Sequence, residues 1–275
     1  MTEGNKKMHQ AKKRFGQNFL HDDQVLQKLI RAIGPKKNDF MLEIGPGQGA
    51  LTDYLIREIK PLTAVEIDRD LIVLLNKKYT PEQLHLIQSD ILKFDLKKLD
   101  RKFESIVGAP LAGAHPKIRV VGNLPYNIST PLLFHLFDQI DQIQDMHFML
   151  QKEVAERICA NVGDSQYGRL SIMSQYYCQT ELLFIIGPES FDPAPKVDSA
   201  FVRLTPRQPQ RNTKHFKLFA ELVAAAFSQR RKTISNSLKR YFSKDQLEAL
   251  KLDPKKRPQD LTVEDFLMLS DNHHE

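Results

Sequence analysis

The chain has 275 residues, of which 41% are hydrophobic and 27% charged, with a formal net charge of +6; this composition is typical of a soluble globular protein with a sizeable core. No apolar run approaches the roughly 18 residues of a membrane span, and the basic N-terminus lacks the apolar segment of a signal peptide, so we expect a cytoplasmic protein with no membrane contact. Because Cys159 and Cys178 have neither metal-ligand spacing nor a CxxC pattern, we expect buried thiols, no disulfide and no metal.

The N-terminal arm is basic, since residues 1–14 carry five Lys or Arg against one acidic residue. The arm ends in "GQNFL", residues 16–20, where Phe19 and Leu20 could close over a ligand. The Asn18 side chain could contact that ligand, or it could cap the helix that the sequence predicts from about Asp22.

From residue 39, short apolar runs alternate with amphipathic stretches of helical period. This alternation predicts right-handed crossovers and an α/β fold with a doubly wound, mostly parallel sheet. Two further apolar runs come close together near the end of this region and could form an antiparallel pair at one edge of the sheet. The predicted strands are "DFMLEI", "PLTAVEI", "QLHLIQ", "IRVVG" and "DMHFMLQ", and the edge pair is "ELLFIIG" and "VDSAFVRL".

A Pro-, Gln- and Arg-rich stretch at residues 205–214 is typical of a linker. The four periodic stretches after it predict only helices, so we expect one larger α/β domain at residues 1–205, including the basic arm 1–21, and a small all-helical domain at 206–275. Residues 203–257 carry fifteen Lys or Arg against four acidic residues, whereas residues 15–202 carry twenty against twenty-four. This asymmetry favours binding to a phosphate backbone, although a solvated basic surface is the alternative.

A glycine-rich loop follows the first long strand in "MLEIGPGQGALT". Gly45 and Gly47 would let the backbone turn sharply and approach a ligand, and the next helix offers free N–H groups. The loop also satisfies the dinucleotide fingerprint G-x-G-x-x-G/A, so an NAD-linked enzyme is an alternative at this point. Glu66, about twenty residues later, could accept hydrogen bonds from both ribose hydroxyls of either cofactor.

The third strand favours a different cofactor. Asp90, at the end of "LIQSDIL", could accept a hydrogen bond from an adenine amino group while Ile91 lies against the ring. Acidic residues at the ends of successive strands after a glycine loop match the S-adenosylmethionine site of doubly wound methyltransferases. Asp90 could instead be a plain helix N-cap.

The next strand ends in "GNLPYNIST", where a turn follows an apolar run. The Asn123 side-chain oxygen and the Leu124 carbonyl could hold the two N–H bonds of an exocyclic amine, so that its lone pair points at a methyl group. Pro125 restricts the Leu124 backbone, and Tyr126 offers a face on which a purine can stack. The alternative is an ordinary turn with Tyr126 packed beneath it.

Seven segments of the chain, taken together, resemble one family in their sequence, order and spacing. This family is the bacterial small-subunit (16S) ribosomal RNA adenine N6-dimethyltransferases, the kasugamycin-sensitivity methyltransferase family. The resemblance implies dimethylation of two adjacent adenosines in a hairpin loop near the 3′ end of 16S rRNA, with S-adenosylmethionine as donor and a role in ribosome assembly. The segments are "RFGQNFL", "LEIGPGQGALT", "AVEID", "QSDIL", "GNLPYNIST", "FDPAPKVDSAFVRL" and "FSQRRKTISNSL". The cofactor contacts that it implies are Asn18, Leu20, Gly45, Glu66, Asp90 and Asn123.

Two of these segments suggest contacts with RNA. In "FDPAPKVDSAFVRL", prolines stiffen a loop that could hold Phe191 over the target base opposite Tyr126, with ordinary core packing as the alternative. In "FSQRRKTISNSLKR", we expect contacts between basic side chains and RNA phosphates, although some of these side chains could simply be solvated. These residues, called the basic set below, are Arg230, Arg231, Lys232, Lys239 and Arg240.

The leading hypothesis is therefore a monomeric two-domain methyltransferase that acts on 16S rRNA in the small ribosomal subunit. One alternative is a large-subunit rRNA adenine N6-methyltransferase of the macrolide-resistance type, which shares the Asn-x-Pro-Tyr site. Another is a non-catalytic RNA-binding assembly or transcription factor on the same fold. No role is assigned to residues 105–117, which align poorly with the family.

Overall fold

The computed structural model describes residues 17–99, 117–208, 213 and 215–273. The basic arm up to residue 16, most of the unassigned segment 105–117, and part of the predicted linker 205–214 lie outside the described residues. Nine strands are described: β1 Phe19–Leu20, β2 Phe40–Ile44, β3 Leu62–Glu66, β4 Leu84–Gln88, β5 Ile118–Asn123, β6 Ile143–Gln151, β7 Cys178–Ile186, β8 Phe191–Asp192 and β9 Ser199–Pro206.

Seven of these strands form one sheet in the order β4-β3-β2-β5-β6-β9-β7, and the five from β4 to β6 run parallel. This confirms the predicted doubly wound, mostly parallel sheet. The predicted edge pair, β7 and β9, does lie together at one edge. The chain order reverses between β2 and β5, and in open α/β sheets ligands bind at the carboxyl ends of the strands at that point.

Ten α-helices are described: α1 Asp23–Ile33, α2 Thr52–Glu58, α3 Arg69–Lys78, α4 Ser129–Phe137, α5 Lys152–Cys159, α6 Arg169–Tyr177, α7 Phe216–Ser228, α8 Ile234–Ser237, α9 Lys244–Ala249 and α10 Val263–Asp271. The Asp22 side chain caps α1, because its carboxylate accepts hydrogen bonds from the N–H groups of Gln24 and Val25 at 2.9 and 3.2 Å. The capping role considered for Asn18 is therefore wrong.

The chain divides into two compact units, whose bounds differ from the predicted domains 1–205 and 206–275. The first unit comprises residues 1–152 and 183–203, and the second comprises 153–182 and 204–275. Residues 153–182 thus group with the C-terminal helices, because the Tyr176 ring of α6 packs on two rings of α7, Phe216 and Phe219, with centroids 5.4 and 4.9 Å apart. From residue 215 onward, the described elements are all helical, as predicted.

Candidate functional site

A cavity of about 290 Å³ lies in the first unit, at the carboxyl ends of β2, β3 and β5. Every residue that the sequence assigned to the cofactor or to the target amine lines it, with the exception of Phe191. These lining residues are Asn18, Leu20, Gly45, Gly47, Glu66, Asp90, Ile91, Asn123, Leu124 and Tyr126. The parallel sheet brings them together because its strand ends share one edge.

The glycine loop between β2 and α2 forms one wall of the cavity. Gly45 and Gly47 have φ angles of +64° and +59°, which L side chains rarely adopt. The Gly45 N–H donates to the Val65 carbonyl at 2.9 Å, so the loop begins against β3. A Cβ on Gly47 would lie 3.1 Å from the Phe19 ring, and glycine therefore lets the segment around β1 approach the loop closely.

Glu66 ends β3 with a buried carboxylate that the backbone holds in place. Oε1 accepts from the N–H groups of Ile67 and Asp68 at 2.8 and 2.9 Å, and Oε2 accepts from the Gly47 N–H at 3.4 Å. Burial raises the pKa of Glu66, while these three N–H groups act to lower it. Because a carboxylate has about four acceptor positions, the group keeps capacity for a hydroxyl donor.

Asp90 is an N-cap, and it also lines the cavity. Its carboxylate caps the short 3₁₀ turn Ile91–Lys93 by accepting from the Leu92 N–H at 3.0 Å. The same side chain lines the cavity, beside the buried Ile91. Capping fixes the carboxylate direction, so the two roles are compatible.

Asn123 ends β5 with its side-chain amide held in one orientation. Nδ2 donates to the backbone carbonyl of Asn18 at 2.9 Å. No hydrogen bond from a described residue occupies Oδ1. The amide oxygen is therefore available as an acceptor on a residue that lines the cavity.

The turn after Asn123 is fixed at both ends. The Leu124 N–H donates to the Met149 carbonyl of β6 at 3.1 Å, and the Pro125 carbonyl accepts from the Ile128 N–H and the Ser129 hydroxyl, both at 3.1 Å. Within the described residues, no N–H or O–H donates to the Leu124 carbonyl. The turn thus combines a rigid backbone with a second available acceptor next to the Asn123 amide.

Tyr126 presents its ring to the cavity and has its hydroxyl 2.8 Å from the Ser199 Oγ of β9. Burial raises the pKa of Tyr126, so the phenol is neutral near pH 7. The ring is only partly buried, which leaves surface for stacking. The predicted stacking on a purine stays a prediction.

Phe191 does not line the cavity, so the structure does not bring it together with Tyr126, and its predicted contact with the target base stays a prediction. Its side chain is 3% exposed and belongs to the hydrophobic core of the first unit. The cause is the short antiparallel pair β1–β8, whose register sets Phe191 beside Leu20. Ordinary core packing, the alternative considered from the sequence, describes this residue.

The sequence reasoning missed Glu43 of β2. This residue lines the cavity although it is 2% exposed, and its Oε2 accepts from the Thr52 hydroxyl at 2.6 Å. Burial raises the pKa of Glu43 to about 7. The available signal was Glu43 itself, an acidic residue within the apolar stretch "FMLEI", because an acidic residue inside a buried strand is rare.

All five residues of the basic set are exposed and belong to the second unit. The side chain of one of them makes a hydrogen bond within the protein, since the Arg230 guanidinium donates to the Ser165 carbonyl. The sequence prediction of RNA contacts at these positions stays a prediction.

The described ranges contain no group of three His, Cys, Asp or Glu residues arranged to hold a metal ion. They also contain no helix with the length and apolarity needed to cross a membrane. Cys159 and Cys178 are free thiols whose pKa values burial raises to about 11 and about 12.

Comparisons with known proteins agree with these observations. A family model described as ribosomal RNA adenine dimethylase matches residues 8–274. The chain is 51% identical over 261 residues to a Coxiella burnetii (strain CbuG_Q212) protein named ribosomal RNA small subunit methyltransferase A, covering 94% of this chain and 96% of that one. It is 50% identical over 267 residues to a Marinomonas sp. (strain MWYL1) protein of the same name, covering 95% of each.

Two solved structures share the fold over nearly the whole chain. A dimethyladenosine transferase from Plasmodium falciparum superposes with a TM-score of 0.74 at 31% identity, covering 91% of this chain and 95% of that one. The 23S rRNA methyltransferase ErmE superposes with a TM-score of 0.70 at 23% identity, covering 92% and 98%, and this likeness concerns the fold alone.

Proposed function

The chain belongs to the ribosomal RNA adenine dimethylase family, and from that membership we propose that it methylates the N6 amino group of adenosines in the RNA of the small ribosomal subunit. The observation that carries this proposal is the pair of available acceptors at the end of β5, the Asn123 Oδ1 and the Leu124 carbonyl. Relatives about half identical over nearly their whole length bear the small-subunit name.

The methyl donor is S-adenosylmethionine, and the cavity residues fit it. Glu66 can accept from ribose hydroxyls, and Asp90 can accept from the adenine amino group while Ile91 packs on the ring. The glycine loop has no side chain where a ligand must come close to the backbone. When bound, the cofactor supplies an electrophilic methyl group on sulfur.

The protein's part in the reaction is to present the target amine. An adenine amino group is neutral, and its lone pair is delocalised into the ring, so no strong base is needed. The Asn123 Oδ1 and the Leu124 carbonyl would each accept one N–H bond, which helps the nitrogen become pyramidal and directs its lone pair toward the cofactor. Tyr126 would stack on the adenine and hold it in that plane.

The finer target follows the family resemblance. We extend the proposal to two adjacent adenosines in a hairpin loop near the 3′ end of 16S rRNA, modified in the cytoplasm by a monomer during ribosome assembly. The basic set of the helical unit would bind phosphates of that RNA. The large-subunit alternative is not retained, because the likeness to ErmE concerns the fold alone while the closely similar relatives carry the small-subunit name.

The decisive experiment is to incubate the protein with labelled S-adenosylmethionine and undermethylated small ribosomal subunits, and to map the modified adenosines by mass spectrometry. We expect dimethyladenosine at two neighbouring positions. Large subunits serve as the control substrate. Label on the large subunit alone would overturn the target, and no label on either subunit would overturn the methyltransferase activity.

A further inference from the structure

The Tyr126 hydroxyl contacts a serine that is distant in sequence. Ser199 is the first residue of β9, it is fully buried, and its Oγ lies 2.8 Å from the Tyr126 hydroxyl oxygen. We propose that Ser199 is a positioning residue, which holds the Tyr126 ring in the plane needed to stack on the target adenine. This inference rests on the proposed function and adds a residue to which that function assigned no role.

Ser199 is itself held firmly. The preceding residue, Asp198, accepts from the Lys152 N–H at 3.0 Å through its carbonyl and lies 3.3 Å from the Lys152 ammonium through its carboxylate. Strand β9 lies between β6 and β7 in the sheet. Phe201, two residues further on the same face of β9, also lines the cavity, and its ring stacks on the buried His147. A hydroxyl on this strand is therefore a fixed reference point.

The Tyr126 side chain, by contrast, has a single polar contact with the described residues to orient its ring. It lies in the turn after Pro125, and its ring is partly exposed at the cavity. Among the described residues, its hydroxyl makes one polar contact, the one to Ser199. Two side-chain torsions define the ring plane. The hydrogen bond fixes the position of the hydroxyl oxygen and so restrains χ1. Because a phenolic oxygen makes hydrogen bonds close to the plane of its own ring, the direction of the Ser199 Oγ also favours one ring plane about χ2. The ring face is thereby oriented before a base arrives, which reduces the ordering cost of binding and alignment.

A purely structural role for the contact makes a different prediction. If the bond only satisfies a buried hydroxyl, breaking it would lower stability without a specific effect on RNA methylation. If the bond positions the ring, breaking it must lower kcat/KM for the RNA substrate and leave the affinity for the cofactor unchanged. Removing either partner must then have the same effect, because both substitutions break one restraint.

The test compares Tyr126→Phe, Ser199→Ala and the double variant in methylation of undermethylated small subunits. Tyr126→Phe keeps the stacking face and removes only the hydroxyl. We expect each single variant to lower kcat/KM for the subunit by about three- to tenfold, the scale of one hydrogen bond, with the affinity for S-adenosylmethionine unchanged. The double variant should be no worse than the singles. Wild-type kcat/KM in Tyr126→Phe, or additive losses in the double variant, would overturn the proposal.

Ser174→Ala is the matched control. Ser174 is also fully buried, but its Oγ has no hydrogen-bond partner among the described residues, so its removal should leave methylation unchanged. If Ser199→Ala fails to fold, Tyr126→Phe decides the question alone, because it leaves the packing of β9 intact.

A spectroscopic measurement separates this proposal from the proposed function, since it needs no activity. In protein labelled with 3-fluorotyrosine, the ¹⁹F resonance of Tyr126 is assigned as the one lost in Tyr126→Phe. We expect Ser199→Ala to shift and narrow this resonance as the ring becomes free to reorient, whereas Ser174→Ala leaves it unchanged. An unchanged Tyr126 resonance in Ser199→Ala would show that the ring is not held by Ser199, whether or not the protein methylates RNA.

Discussion

Polar groups around the cavity and basic groups of the helical unit differ in how they are held. The Glu66 carboxylate is buried under three backbone N–H donors, and the Asn123 amide is oriented by the Asn18 carbonyl. All five residues of the basic set are exposed, and of their side chains only that of Arg230 makes a hydrogen bond to a described residue, the Ser165 carbonyl. Substitution of a preorganised polar group costs a large part of its transition-state stabilisation. Substitution of an exposed cation costs little, because water already screens its charge. Substitutions in the two regions should therefore differ in size and in salt dependence.

The largest effect is expected for Asn123→Ala, which removes one of the two acceptors proposed for the target amine. Loss of a preorganised polar contact typically costs a factor of about 10²–10³ in kcat, so methyl transfer should fall by at least about a hundredfold. RNA binding should remain nearly intact, because phosphate contacts supply most of it. Single-turnover methylation and a filter-binding assay measure the two quantities.

Asn161→Ala is the matched control, since this asparagine is exposed and lies in the second unit. It should leave both measurements unchanged. Near-normal turnover in Asn123→Ala would remove Asn123 from the proposed mechanism and with it the contrast between the two regions.

The second prediction concerns Glu43 and the pH dependence of the free energy of unfolding. Burial raises the pKa of this carboxyl from 4.5 to about 7, so the folded protein binds a proton that the unfolded chain releases between these values. The contribution of Glu43 to stability therefore falls as pH rises from about 4.5 to about 7. Glu43→Gln should match the wild type near pH 4.5 and exceed it by up to about 3 kcal/mol above pH 7.

Urea unfolding of the cofactor-free protein at several pH values measures this difference. The exposed Glu58→Gln serves as control and should show no such trend. A stability difference between Glu43→Gln and wild type that does not change with pH would contradict the assigned ionisation.

Glu66→Ala should weaken binding of S-adenosylmethionine by about tenfold or more, the scale of a hydrogen bond to a charged group. The affinity should fall because, in the proposed site, the Glu66 carboxylate accepts hydrogen bonds from the ribose hydroxyls. Isothermal titration calorimetry measures it, with Glu58→Ala as the exposed control. Unchanged affinity in Glu66→Ala would mean that the ribose contact lies elsewhere.

The sequence predicted the cavity well because its residues follow a strong geometric rule. Strands with clear apolar patterns in a parallel sheet must end at one edge, and Glu66, Asp90 and Asn123 each stand near the end of such a strand. Glycines and a proline at the adjoining turns then fixed the local backbone. The predicted roles of these residues therefore depended more on their positions in the sheet than on their residue types.

The features that escaped prediction have weak local signals. Helix α6 has six buried residues among nine, so it lacks the amphipathic stripe that marks a surface helix. The pair β1–β8 joins two-residue strands some 170 positions apart, and no period reveals such a pairing. That pairing sets the buried Phe191 beside Leu20, a contact that no local pattern indicates. Asp22 and Asn18 are both good capping residues, and only the start of α1 distinguishes them.

The smallest effect per residue is expected at the basic set. Replacing Arg230, Arg231 and Lys232 together by Ala should weaken RNA binding and reduce the slope of log K against log[salt] by up to about three units, since each phosphate contact releases about one counterion. A matched triple replaces Lys36, Lys37 and Lys60, exposed lysines of the first unit, and should leave the slope unchanged. Because these contacts act through charge and not through fixed geometry, kcat at saturating RNA should stay near the wild-type value in both triples. An unchanged slope in the Arg230, Arg231 and Lys232 triple variant would mean that these three side chains face water in the RNA complex and that other groups bind the RNA.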